Sequence, residues 1–352
     1  MRGTQSAGIL TPMKALAYRN AHALDAFSIA ETEVPLPDIG PDDLLVRVRA
    51  ISVNPVDYKI RSSRSWNEKE GRPVILGWDV AGTVDKVGGA VAGFQPGDEV
   101  YYAGALLRDG GNAEYQAVDH RIVALKPKNL GFPEAAALPL TMVTAWEALL
   151  ERRMIEYTKE SKVLVIGGAG GVGSAAIQLL KAKASIPAPL VIATASRPET
   201  ETWCKQMGAD LVVNHRNPLT DELKTLGVVP GTLDVVFGTT QSAQYLKTIP
   251  DLLRPFGHFC LIDDPGSLDI VGFKRKSISV HWEWMFAKTL FGYRKESQGR
   301  ILNEVTRLVE AGKVKTTANR VLRGFSASAL KEAHTLLEAG TAVGKIVIDF
   351  GG

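Results

Sequence analysis

Between residues 162 and 262 the apolar positions switch period repeatedly. Lys162-Val163-Leu164-Val165-Ile166 is a continuous apolar run, the pattern of a strand buried on both faces. Residues 174–183 then place Ile177, Leu180 and Ala184 on one side, a helical spacing, and Pro187 and Pro189 end it. Leu190-Val191-Ile192-Ala193-Thr194 is the next strand. A helix over 199–207, strands over 211–213 and 233–237, a helix over 244–253 and a strand over 258–262 continue the alternation. Strands alternating with helices predict βαβ units and a parallel sheet.

The flanks read differently. Leu44 to Ala50 alternates apolar and charged positions over its second half, as a half-buried strand does. Residues 80–87 form another apolar run, broken by Gly82. Turn signals recur at Pro35, Pro37, Gly40-Pro41, Gly88-Gly89, Pro96-Gly97-Asp98 and Asp109-Gly110-Gly111, which suits a β-rich barrel or sandwich. After residue 312 that pattern returns, with a helix over 328–339 and a last strand over 345–350. The expected organisation is α/β in two units. One takes 13–136 with 313–352, the other 137–312. Residues 1–12 read as a loose extension.

Composition narrows the class. Hydrophobic residues at 45% and charged residues at 22% fit a globular chain rather than a disordered one. With 41 basic against 38 acidic side chains, no nucleic-acid or membrane partner is expected. No apolar stretch reaches the length of a membrane span, and the first residues lack the apolar core of a secretory signal. The two cysteines, Cys204 and Cys260, show no paired C-x2-C spacing, which excludes a four-cysteine zinc lobe and a disulfide framework. That usage suits a reducing cytoplasm.

Gly168-Ala169-Gly170-Gly171-Val172-Gly173 carries glycines at the G-x-G-x-x-G positions. It follows a buried strand and opens a helix, the context that makes the pattern meaningful. Small residues let the backbone approach a pyrophosphate, and the first helical amides bind the anion. An NAD site carries Asp or Glu at the end of the second strand; here stand Ala195-Ser196-Arg197. A hydroxyl and a guanidinium suit a 2′-phosphate, which points to NADPH. His215, in Asn214-His215-Arg216, follows the third strand and could flank the adenine or the phosphate, or stand in a solvated loop.

Four motifs carry a resemblance: Val53-Asn54-Pro55-Val56-Asp57, Gly77-Trp78-Asp79-Val80-Ala81-Gly82, residues 93–100 (Gly-Phe-Gln-Pro-Gly-Asp-Glu-Val), and Ala169-Gly170-Gly171-Val172-Gly173. From Met13 to Val347 the chain resembles the medium-chain dehydrogenase/reductase superfamily. Within it the likeness is to the quinone oxidoreductase branch, among the proteins labelled zinc-type alcohol dehydrogenase-like. The resemblance implies a GroES-like catalytic domain, a Rossmann domain with a doubly wound parallel sheet, and a homodimer. It also exposes a departure. Zinc alcohol dehydrogenases have Cys where this chain has Asn54, Gly-His-Glu where it has Gly77-Trp78-Asp79, and a third Cys near Leu140. Asn, Trp and Leu cannot make the ligand set a catalytic zinc needs, so no metal is expected.

Without a Lewis acid, a simple ketone lacks its electrophile. A quinone or a C=C conjugated with a carbonyl delocalises the developing charge, so a hydroxyl, amide or water suffices. By resemblance, Asn54 lies beside the nicotinamide ribose and faces the acceptor, and Thr144 packs against the nicotinamide. Asp57 is expected to hold the Asn-Pro turn. Tyr58 is either a proton donor or a packed aromatic on a strand edge, and the indole of Trp66 cannot donate. Residues 279–286 are dense in aromatics and form a pocket wall or a dimer contact, with little reason to assign catalysis to His281 and Glu283. Two rivals stay open: a zinc alcohol dehydrogenase with unusual ligands, and a non-catalytic NADPH-binding protein.

Overall fold

Val163 and Val165 pack into one apolar cluster while Leu164 and Ile166 pack into another. Alternate side chains of one strand thus feed cores on opposite faces, which is what a continuous apolar run allows. The computed structural model describes residues 12–66, 73–152, 155–182 and 188–351. In it, Lys162–Ile166 lies inside a six-stranded parallel sheet. The order is Leu211–Asn214, Leu190–Ala195, Lys162–Ile166, Leu233–Gly238, Leu253–Leu261, Ser279–Trp282. The chain winds outward from Lys162–Ile166 one way and then resumes on its other side. Ligand crevices open at such switch points, beyond the carboxyl ends of the strands.

The second sheet joins distant parts of the sequence. Its order is Ala318–Arg323, Lys345–Asp349, Asp43–Ser52, Val80–Val87, Glu99–Tyr102, Ala124–Leu125, with Tyr115–Asp119 also paired to Asp43–Ser52. The late strand Lys345–Asp349 pairs antiparallel with Asp43–Ser52, matching Ile348 to Ile51. A smaller sheet, Ala30–Pro35, Pro12–Tyr18 and Val74–Ile75, lies alongside. This is the α/β combination of a GroES-like unit and a Rossmann-like unit.

Several expectations change. Gly82 does not break its strand, which runs Val80–Val87. A Cβ there would lie 2.3 Å from the Arg47 carbonyl oxygen, beside irregularities in the register with Asp43–Ser52, so glycine permits the close approach. The helix expected over 244–253 is replaced by a short 3-10 turn at Ser242–Tyr245 and one helical turn at Ile249–Leu252, and the next strand begins at Leu253. Pro250 withholds a donor where a longer helix would need one. The β-rich zone also holds the helix Pro55–Ser63, and a 15-residue helix, Glu296–Glu310, went unread. Its buried Ile301, Leu302, Val305, Leu308 and Val309 follow helical spacing. Residues 1–11, and Lys183, Ala184 and Pro187 at the expected end of the helix Gly171–Ala182, lie outside the described residues.

Candidate active site

The strand Lys162–Ile166 delivers the chain to Gly167, at φ +79°. There Gly167 N–H donates to Thr194 Oγ1 at 3.0 Å and Gly168 N–H to the Thr194 carbonyl at 3.2 Å. The helix Gly171–Ala182 follows. A Cβ on Gly173 would lie 2.2 Å from the Gly167 carbonyl oxygen, and one on Gly168 would lie 2.7 Å from the Ala193 Cβ. The glycines thus let helix and strand meet closely. Beside Gly170, by contrast, a Cβ would meet only the Gly167 oxygen, at 3.4 Å. The first-turn amides have no partner within the helix and form an anion cradle. Ala169, Gly170, Gly171, Val172 and Gly173 lie together at that helix start, and their chemistry could hold a pyrophosphate.

Ser196 and Arg197 leave the strand Leu190–Ala195 at its carboxyl end. The ladder pairs Ala195 with Asn214, so His215 leaves the neighbouring strand at the same level. Arg197 is already engaged: its Nη2 donates to the Thr341 carbonyl at 3.0 Å and its Nε lies 2.9 Å from Glu199. Two of its five N–H groups are thereby used, and the rest suit a phosphate. No carboxylate occupies residues 195–197.

Facing the cradle is a network that sequence reasoning saw only in part. Pro55 at the first helical position and Asp57 in the first turn start the helix Pro55–Ser63 immediately after Asn54. Asp57 accepts from the Asn54 N–H at 2.7 Å and from the Gly77 N–H at 3.0 Å, the turn-holding role expected of it. Burial pushes its carboxyl up to about 7 against those bonds and the nearby Lys345. Asn54 Nδ2 lies 2.9 Å from Asp79 Oδ2, 3.2 Å from the Trp78 carbonyl and 3.3 Å from the Ser52 carbonyl. Its Oδ1 accepts from Lys345 Nζ. The amide has two protons and three acceptors in reach. The expectation that it is turned to an acceptor in the cleft is therefore corrected: Asn54 is buried and committed inward.

Lys345 is the member the sequence reading did not single out. Its ammonium also lies 2.7 Å from the Val53 carbonyl and 3.2 Å from Asp79 Oδ2. Asp79 Oδ1 accepts from the Leu140 N–H at 2.7 Å. Burial raises the Asp79 carboxyl and lowers the Lys345 ammonium, each opposed by the other's charge. The only local sign is a lysine opening an apolar strand.

Thr144 sits buried on the helix Pro139–Trp146, its hydroxyl donating to the Leu140 carbonyl at 2.7 Å. Tyr58 is half-buried on the helix Pro55–Ser63, not on a strand edge. Trp78 is fully buried and meets Phe286 edge-on at 6.4 Å, and Phe286 meets Trp284 at 6.1 Å. This aromatic row draws part of the 279–286 segment into a wall spanning both lobes. Glu283 instead pairs with Arg152 at 3.2 Å, and His281 Nε2 lies 3.4 Å from the Ala148 carbonyl.

A GroES-like β unit joined to a parallel-sheet unit whose glycine loop opens a helix at the switch point defines an oxidoreductase of the two-lobed dehydrogenase class. The chain belongs to the medium-chain dehydrogenase/reductase superfamily. The profile of the alcohol dehydrogenase GroES-like domain matches residues 40–128, and that of the zinc-binding dehydrogenases matches 207–348. A zinc-type alcohol dehydrogenase-like protein of Staphylococcus aureus is 38% identical over 348 residues, 96% of this chain and 100% of that one. The NADPH-dependent alkenal/one oxidoreductase of Arabidopsis thaliana chloroplasts is 33% identical, over 98% of this chain and 81% of its own. A solved Rhizobium etli protein assigned as a zinc-dependent alcohol dehydrogenase superposes with a TM-score of 0.91 at 45% identity, covering 97% of this chain and 99% of its own.

Three of those names carry zinc. The side chains here do not fit it: the Asn54 oxygen is taken by Lys345, Trp78 offers an indole, and Leu140 offers hydrocarbon. Among the described residues no group of three or more His, Cys, Asp or Glu gathers into a metal site. Nor is any described helix long and apolar enough to cross a membrane.

Proposed function

We propose that this protein is a zinc-independent, NADPH-dependent reductase that delivers hydride to a quinone or to an alkene conjugated with a carbonyl. The observation that carries the reading is the Lys345 ammonium, seated among Val53, Asp79 and Asn54, the last a position to which the family resemblance assigns a zinc ligand. The Arabidopsis relative's name, an NADPH-dependent alkenal/one oxidoreductase, agrees with it.

In this reading the cradle 169–173 takes the pyrophosphate, and Ser196 and Arg197, with His215 at the same level, take the 2′-phosphate. Thr144 packs beside the nicotinamide, and Asn54 positions the cleft wall from within its network. NADPH supplies hydride at C4 of its nicotinamide. The chain's part is to orient the acceptor against half-exposed Trp284, which the buried Phe286 and Trp78 support from behind. The charge that develops spreads over the acceptor's conjugated carbonyl, and water or a hydroxyl such as Tyr58 provides the proton. The small-molecule acceptor binds to a cytoplasmic homodimer that pairs through the edge strand Ser279–Trp282, next to half-exposed Trp282 and Trp284.

The test is a panel of quinones, enones and simple aldehydes with NADPH, and NADH as control, alongside metal analysis and light scattering. Turnover with quinones or enones that survives chelation, in protein holding far less than one zinc per chain, is the expected result. Stoichiometric zinc with chelator-sensitive aldehyde reduction would overturn it.

A further inference from the structure

Lys345 belongs to both lobes at once. Its ammonium lies within hydrogen-bond reach of the Val53 carbonyl, the Asn54 side-chain oxygen and Asp79. Those three contacts match the three protons an ammonium can donate. Its stem lies across the opening of the cofactor helix: a Cβ on Gly171 would stand 2.8 Å from Lys345 Cδ and 3.4 Å from Cγ, with Thr141 Cγ2 at 3.0 Å. Its backbone is held on the same side. Lys345 N–H donates to the Thr317 carbonyl at 2.8 Å, and the preceding Gly344 N–H donates to Ala169 in the dinucleotide loop, also at 2.8 Å.

A lysine this deep is costly unless every proton is taken and a counter-charge is close. Here Asp79 supplies the charge, and Asp79 is itself fixed by the Leu140 backbone N–H and the Asn54 side-chain amide. The ammonium thus determines which way the Asn54 amide faces, because Nδ2 turned toward Lys345 would set donor against donor.

We infer that Lys345 is a positioning residue for hydride transfer: its ammonium is the resident cation that locks the Asn54–Asp79 wall, and its stem seats the dinucleotide loop against that wall. The inference rests on the reductase reading above. It splits the residue into a charged end that acts on the cleft and an apolar stem that acts on the cofactor.

The split is testable with Lys345→Met, Lys345→Ala and the double variant Lys345→Met/Asp79→Asn, each checked for folding by thermal melting. Methionine keeps most of the stem and removes the charge. Its kcat with an enone or quinone should fall about 100-fold, the loss that a misplaced wall produces, while the NADPH Kd, read by nicotinamide fluorescence, stays close to the wild type. Alanine removes the stem too, and should weaken NADPH by about tenfold more, equivalent to about 1.4 kcal/mol. The double variant leaves neither charge buried alone and should recover about tenfold of the lost kcat. A residue that merely stabilised the fold would not separate kcat from cofactor Kd in this way.

A Lys345→Met enzyme as fast as the wild type would overturn the inference, as would a double variant no faster than the single. The wild-type arm tells the two failures apart. Wild type that binds NADPH yet reduces none of the acceptors sinks the reductase reading, whereas active wild type with indifferent variants sinks only the role of Lys345.

Discussion

The backbone N–H of Leu140 points at Asp79 Oδ1 from 2.7 Å, so the first turn of the helix Pro139–Trp146 is pinned to the GroES-like lobe by a buried carboxylate. The same carboxylate balances Lys345. Replacing Asp79 with Ala leaves both the amide and the ammonium without their partner. Loss of one half of a buried ion pair costs about 3–5 kcal/mol, and urea unfolding should show a loss of that size. A drop under about 1 kcal/mol, the scale of an exposed pair, would mean that Lys345 finds water instead.

In the proposed reading Arg197 sets cofactor choice. Two of its donors are engaged with Thr341 and Glu199, which leaves the others for the 2′-phosphate of that reading. Arg197→Ala should raise the NADPH Kd by about ten- to a hundredfold, the worth of one charge-assisted contact, and leave the NADH Kd unchanged. Equal weakening of both cofactors would show that the guanidinium serves only the 341 loop.

Gly173 is the glycine of the 168–173 motif with least room. Because a Cβ there would sit 2.2 Å from the Gly167 carbonyl oxygen, Gly173→Ala must push the helix away from the loop. We expect cofactor binding to weaken by more than about tenfold, with a stability loss of about 1–3 kcal/mol for the overpacking. Isothermal titration and melting measure the two. Unchanged binding would mean that the helix shifts freely.

His334 makes stability depend on pH. It is buried, accepts from Arg61 Nη1 at 2.8 Å on its Nδ1, and burial, with Arg61 close by, pushes it from 6.5 down to about 3. The folded protein therefore keeps His334 neutral where the unfolded chain would protonate it. The unfolded state binds more protons between those values, so stability rises with pH across the window and is lost as pH falls from about 6.5 toward 3. The slope is at most about 1.4 kcal/mol per pH unit. His334→Asn keeps an acceptor for Arg61 and removes the titration. Denaturant unfolding at pH 4.5, 5.5 and 7 should be flatter by about that slope. Parallel profiles would sink the assignment.

What the sequence revealed depended on distance along the chain. The glycine cradle is legible because strand, glycines and helix lie within about a dozen residues, and each glycine answers a local steric demand. The Asn54–Asp57 turn was legible for the same reason. Lys345 was not, because its partner Asn54 stands 291 positions away and no local pattern connects them. Asn54 itself was recognised, but its orientation was read wrongly, since that orientation is fixed by the distant ammonium. The helix expected over 244–253 failed through Pro250, whose missing donor outweighed the apolar spacing. The helix Glu296–Glu310 shows the opposite lapse, for its buried stripe was present in the sequence.

Gly344 donates to Ala169 and bridges to Gly170. A ribosome that has made residues up to 312 has supplied every strand of the parallel sheet, yet not the segment that buttresses its nucleotide loop. The loop gains that support only when the 344–345 segment leaves the exit tunnel and docks.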